Sequence, residues 1–325
     1  MATMAGISGE KKAARGQRSH GRGPQRLAWL ALGWNMAVVL WGAYVRESQS
    51  GAGCGSHWPL CNGVVVPQMG RWHTVVEFVH RMSSGVGLLL VVALAVVAFL
   101  VARKGSLARW AAGFAAFFMF NEALLGALLV LLRKVEMDQS VGRAVYLCLH
   151  STNTLLLLGA LTLAAYWLGA EGDGRWASYR DTRLWPGLAA MGVTLMVAAT
   201  GAIAALGDTL FPATSLHQAW AQDFAANAHY ALRLRWMHPA CATLLVGFLL
   251  WMLWRNGWRQ RGAWVLVGLL GVQYGLGILD MLLLAPLWMQ IVHLLFADLL
   301  WVALVVVVAR GVSSARGLSP AKTAA

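Results

Sequence analysis

Four histidines, His80, His150, His238 and His293, stand inside long apolar stretches of this 325-residue chain. Each lies about four to seven residues from the same end of its stretch, a depth of roughly 6–10 Å at the 1.5 Å rise of a helix. A single histidine in such a place is most often a polar side chain satisfied inside a bundle, because an imidazole in hydrocarbon is costly without a partner. Four at one depth point to a shared kind of partner. One histidine from each of two facing helices can set imidazole nitrogens on either side of a heme iron, an electron-transfer type of ligation. Two such pairs imply two hemes, or one heme cofactor and one heme substrate.

Other residues nearby carry chemistry of their own. Glu77 precedes His80 by one helical turn and shares its face, whereas the matching place before His238 is Arg235. A half-buried carboxylate there could exchange a proton or steady a cation beside a porphyrin, or it could merely support the imidazole of a ligand. Arg81, Arg233 and Arg235 could pair with heme propionates, or could be the positive helix ends common at a headgroup boundary. Cys54 and Cys61 lie in a Gly-, Pro- and Trp-rich loop that leads into Glu77; a disulfide closing a compact lid and two free thiols are both open. Cys148 and Cys241 fall within apolar stretches. His20, His57, His73, His217 and His229 read as solvent-facing side chains, and Glu122, Asp280 and Asp298 as bundle contacts or parts of a proton path.

The elements that must position these residues are membrane helices. Apolar residues make up 59% of the chain and charged residues 12%, with a mean hydropathy of +0.61, against roughly a quarter charged in a soluble domain. Stretches near the 20 residues needed to span a bilayer recur at 27–46, 76–101, 108–132, 143–168, 185–206, 231–254, 263–285 and 287–309. An all-α integral membrane protein of eight transmembrane helices is predicted, with both termini on one side. The net charge of +13 would suit a nucleic acid, but 18 of the 26 basic residues fall in the termini and the second, fourth and sixth loops, so that side is taken as cytoplasmic. Residues 1–26 form a basic tail without the apolar core of a cleaved signal peptide, and the first span serves as the insertion signal.

The polar stretch 170–184 divides the spans into two sets of four, 27–169 and 185–310, with 311–325 as a second cytoplasmic tail. The sets look like weak copies. Gly42-Ala43 ends the first span as Gly201-Ala202 ends the fifth, and GALLVLL from Gly126 resembles GILDMLL from Gly277. Two pseudo-symmetric four-helix bundles are expected, with a histidine in each even-numbered span.

Three stretches, GAYVR (42–46), SGAGCGSHWPLCNG (50–63) and EFVHR (77–81), resemble the heme A synthases of respiratory bacteria and mitochondria. The similarity extends over nearly the whole chain through His150, His238 in RLRWMHPA and His293 in IVHLL. It implies that His80 and His150 hold the substrate heme O, that His238 and His293 hold heme b, that Glu77 is the catalytic carboxylate, and that Cys54 and Cys61 form a loop disulfide. The reaction so implied oxidises the porphyrin C8 methyl to a formyl group by successive hydroxylations, for cytochrome oxidase assembly in a bacterial inner membrane. Heme O synthase and oxidase assembly factors are conceivable partners, as is a second copy of the chain. Residues 207–230 lack the second cysteine pair of some family members. The competing reading is a diheme b-type cytochrome, which needs the histidines but neither Glu77 nor the lid. A transporter is disfavoured by parallel rather than inverted repeats, and a prenyltransferase by the scatter of Asp208, Asp223, Asp280 and Asp298.

Overall fold

The computed structural model describes residues 22–169, 184–256 and 262–314. Most of the two expected tails, and the linker 170–184 apart from its last residue, lie outside these. The described residues are almost wholly helical: α1 (Gly23–Glu47), α2 (Trp72–Val101), α3 (Leu107–Leu131), α4 (Val141–Gly169), α5 (Leu184–Leu210), α6 (Leu216–Asp223), α7 (Tyr230–Arg235), α8 (Met237–Asn256), α9 (Ala263–Leu282) and α10 (Leu287–Ser314). Among the described residues, eight helical segments are long and apolar enough to cross a membrane, with α7 and α8 together forming the sixth. The eight expected spans are therefore present. The second starts at Trp72, four residues before the expected 76, because the helix continues through the polar turn that carries His73 and Thr74.

The sixth span is interrupted at Trp236, which separates α7 from α8. Pro239 has no amide hydrogen to return to the Arg235 carbonyl, so the helix loosens one turn before it. Between α9 and α10 the chain reverses in four residues, with Leu284 and Ala285 in the left-handed region at φ 64° and 52°. The short helix α6 has a reciprocal cap in the loop 211–229: Ser215 Oγ accepts from the Gln218 amide at 3.2 Å, and Gln218 Oε1 accepts from the Thr214 amide at 2.9 Å.

Packing closes each set of four into a ring. In the first, α1 packs on α2, α2 on α3, α3 on α4 and α4 on α1; in the second, α5 packs on α8, α8 on α9, α9 on α10 and α10 on α5. The rings meet through α4 and α1 against α10 and through α4 against α5. A continuous apolar core runs through all eight spans, from Ala31 and Leu94 in the first ring to Leu249 and Leu304 in the second. It fills the half of the molecule away from the loops 48–71 and 211–229, and the four histidines stand above it, at the lid end.

Trp301 on α10 joins the rings. It is fully buried, donates from Nε1 to the Leu155 carbonyl on α4 at 2.7 Å, and lies against Gly159, where an added Cβ would come within 3.2 Å of Nε1. In a bilayer, close packing of this kind and interhelical hydrogen bonds replace the hydrophobic drive for association. Trp301→Phe should cost about 1 kcal/mol, the loss of one hydrogen bond, and Trp301→Ala about 3 kcal/mol or more through the void it leaves. Thermal unfolding in detergent checks the order; an Ala variant as stable as the parent would show that the rings do not depend on this contact.

Candidate functional site

Each of the four histidines rests on a glycine of the preceding span. A Cβ added at Gly42 on α1 would lie 3.1 Å from His80 Cε1 on α2, one at Gly201 on α5 3.0 Å from His238 Cε1 on α8, and one at Gly277 on α9 3.1 Å from His293 Cε1 on α10. The fourth pair, Gly126 on α3 and His150 on α4, is looser at 3.9 Å. Any larger residue at the first three would push the ring away. These are the same four glycines that mark the repeat in the sequence.

All four rings are half-buried, yet the Nδ1 atoms of His80, His150 and His293 are covered and without a hydrogen bond. His238 differs, its Nδ1 donating to the Val197 carbonyl at 3.1 Å. A carbonyl only accepts, so the proton sits on Nδ1 and Nε2 keeps a lone pair, the arrangement that prepares a histidine to bind metal. His238 and His293 face each other across the second ring, with ring centroids 6.3 Å apart and planes at 88°. Two metal–imidazole bonds of about 2 Å each separate the nitrogens by about 4 Å, and the ring halves make up the rest. The donor set thus fits one iron between the pair, provided that the Gln273 amide, 3.2 Å from His293 Nε2, yields that nitrogen.

Around His150 is a polar cluster that the sequence leaves undecided. Glu122 Oε1 accepts from Thr154 Oγ1 and lies 3.5 Å from His150 Nδ1, while its Oε2 accepts from Asn153 Nδ2 at 2.6 Å. Asn121 completes the chain by donating to Asn153 Oδ1 at 2.7 Å. The sequence shows a carboxylate within a span but not its partners, which come from the next helix.

Glu77 is buried, and both of its oxygens are taken: Oε2 accepts from the Cys54 amide at 2.7 Å and Oε1 from Arg81 Nη2 at 2.5 Å. Arg81 in turn donates from Nη1 to the carbonyls of His57 and Leu60 at 2.7 and 2.8 Å. The loop is closed by a disulfide between Cys54 and Cys61, both buried, while Cys148 and Cys241 are free. Its backbone passes so close to α2 that a Cβ on Gly53 would lie 2.2 Å from the His73 carbonyl oxygen. His73, expected to face solvent, holds Ser50 Oγ at 2.9 Å.

The second ring fastens its loop by charge instead. Arg235 pairs with Asp208 at 2.7 Å and with Asp223, at the end of α6, at 2.6 Å. Arg233 donates to the Ala226 carbonyl, and His229 Nδ1 accepts from the Ala231 amide at the start of α7. The three arginines expected at propionates thus have partners within the protein. Glu77 and Arg235, three residues before His80 and His238, carry opposite charge and do the same thing: each ties its outer loop to the helix that bears the histidine.

Eight apolar helices with histidines at one level define a multi-pass membrane protein that presents imidazoles between its spans. The chain matches the COX15-CtaA family of cytochrome oxidase assembly proteins over residues 25–305, and it belongs to that family. A protein of Thermus thermophilus named protoheme IX farnesyltransferase is 41% identical over 286 residues, which are 86% of this chain and 46% of that one. The chain thus spans a little under half the length of this relative. The heme A synthase of Symbiobacterium thermophilum is 43% identical over 97 residues, 30% of this chain and 31% of its own, and that of Bacillus pumilus 33% identical over 131 residues, 40% of each.

A non-reducing peptide map should link Cys54 to Cys61 and leave Cys148 and Cys241 alkylatable. Replacing the pair by serine should raise proteolysis within 48–71 while the eight spans stay intact, since closing a short loop mainly restrains the loop itself; a lid as resistant as the parent's would assign its order to Glu77 and Arg81 alone.

Proposed function

We propose that the chain is a heme A synthase of a bacterial inner membrane, with both termini in the cytoplasm. The observation that carries this reading is the set of four glycine-seated histidines, two per ring, in a chain of the cytochrome oxidase assembly family. The ring of 27–169 takes heme O as substrate between His80 and His150, and the ring of 185–310 takes heme b between His238 and His293. Heme b, when bound, supplies a one-electron redox centre. The basic residues concentrated at the termini and even-numbered loops support the orientation.

Turning a methyl group into a formyl group adds one water oxygen and releases four electrons and four protons to acceptors. Protons must leave the substrate's edge, and a carboxylate held within a turn of the ligand suits that task. Glu77 is held there by the Cys54 amide and Arg81, so it is fixed in place before substrate arrives. The backbone of the disulfide-closed lid positions the carboxylate through the Cys54 amide. Heme O carries a long apolar tail, which spans open to lipid accommodate.

The name of the Thermus relative raises a second reading, prenyl transfer to heme. That chemistry needs clustered aspartates around a Mg-bound diphosphate. Here Asp208 and Asp223 are both committed to Arg235, and Asp280 and Asp298 stand on different helices. More than half of the Thermus protein lies outside the matched region, so its name need not describe the part shared with this chain.

Glu77→Gln keeps the shape and an acceptor for the Cys54 amide but removes the basic oxygen. In cells supplied with heme O, heme A output should fall by about 100-fold or more, with heme O or a hydroxylated form retained on the protein and heme b unchanged. Arg81→Gln, which loosens the lid but leaves the carboxylate, should cost less. Heme A at the parental level from Glu77→Gln would remove Glu77 from the chemistry.

A further inference from the structure

Glu122 and Gln273 occupy the same place in the two repeats. Each precedes the glycine that seats its ring's second histidine by four residues, Gly126 for His150 and Gly277 for His293. Each also stands against that histidine, Glu122 Oε1 at 3.5 Å from His150 Nδ1 and Gln273 Nε2 at 3.2 Å from His293 Nε2. The repeat thus sets a carboxylate beside one imidazole and an amide beside the other. We propose that Glu122 is a positioning residue that fixes His150 through Nδ1 and biases the iron held there toward its oxidised state, a bias that the iron at His293 lacks.

The physical basis is an unsatisfied donor. His150 Nδ1 is covered and makes no hydrogen bond, a state that costs about 1–3 kcal/mol for a buried polar group. A carboxylate oxygen 3.5 Å away is one small side-chain adjustment from accepting its proton. Catalytic and ligand contacts often stand this far apart until the site is filled. With Nδ1–H directed at Glu122, Nε2 keeps the lone pair that a heme ligand requires.

The neighbours of Glu122 donate to it from two sides. A carboxylate offers only acceptor sites, and it receives Thr154 Oγ1 on Oε1 and Asn153 Nδ2 on Oε2. Asn153 is steadied by Asn121 and by its own bond to the Phe118 carbonyl at 2.9 Å. Thr154 Oγ1 also bonds the His150 carbonyl at 2.9 Å, so the same hydroxyl joins the carboxylate to the ligand's helix turn. Such a network holds the oxygen where the ring needs it. A carboxylate bonded to a ligand imidazole raises the ligand's basicity, which favours the ferric over the ferrous ion. Gln273 is uncharged and stands at the other ring nitrogen, so it supplies no such charge.

This inference rests on heme lying between each histidine pair, as proposed above, and it is tested apart from turnover. The probe is the purified full-length protein with its hemes, titrated potentiometrically in detergent. Each heme is assigned by its depletion in His150→Ala or His293→Ala. Glu122→Gln should raise the midpoint of the heme at His150 by at least about 59 mV, a tenfold loss of ferric preference for a one-electron couple, and leave the other heme in place. Glu122→Asp, which keeps the charge but draws it back from His150 Nδ1, should move the same midpoint in the same direction, and it decides the matter if Glu122→Gln does not retain heme at His150. Midpoints unmoved in heme-loaded variants overturn the proposal. Heme A measured in the same preparations keeps the two readings apart: shifted midpoints without heme A in the parent sink the synthase and spare Glu122, whereas heme A with unmoved midpoints does the reverse.

Discussion

An imidazole in a hydrocarbon slab must have a partner, and this chain seats its four in one way while leaving the Nδ1 of His80, His150 and His293 unpaired. Each ring is laid against the bare backbone of a glycine one span earlier, at Gly42, Gly126, Gly201 and Gly277. The glycine lets two helices approach at the level of the ring, which is left half-buried. Helix order follows from this. Because each histidine leans on the preceding span, each odd-numbered span must lie beside the even-numbered span that follows it, and the packing of those pairs on each other closes four spans into a ring with two histidines. The apolar core below that level is continuous across both rings, which leaves the histidine level as the part able to receive a flat, metal-bearing ligand.

The two rings share a plan and differ in charge. Three residues before the first histidine, one ring has Glu77 and the other Arg235, and each secures its outer loop. The first ring adds a disulfide, and the second a salt-bridged pair of aspartates. Beside the second histidine, Glu122 corresponds to Gln273 across the repeat. In the first ring a carboxylate therefore stands beside His150 and another one turn before His80. A duplicated electron carrier has no need of such a difference, whereas one ring that modifies a heme and another that only holds one does.

Much of this was legible in the sequence, for physical reasons that also mark where reading stops. Length and apolarity fix the spans, since a bilayer admits little else, and even the short turn at Pro286 separates two true helices. The four glycines were visible as repeat marks, but that each seats a histidine was not, because contact between helices leaves no trace in local pattern. The span expected at 231–254 is broken at Trp236, one turn before Pro239, which lies inside it. Arg81, Arg233 and Arg235 have the right type for propionates, and within the protein they also hold loop carbonyls and carboxylates borne on helices. Loop backbone of that kind carries no periodicity to read. The carboxylate of Glu122 stood out in its span, but Asn153 and Thr154, which hold it, lie on another helix.

The central claim is that one ring carries a heme undergoing modification and the other a heme that is only held. Extraction and chromatography of the hemes bound to the wild-type protein, purified from cells that make heme O, tests this most directly. The account predicts heme b together with heme O, heme A or a hydroxylated intermediate, in comparable amounts per chain. Heme b alone, in two copies per chain, would contradict it and mark the protein as a diheme electron carrier.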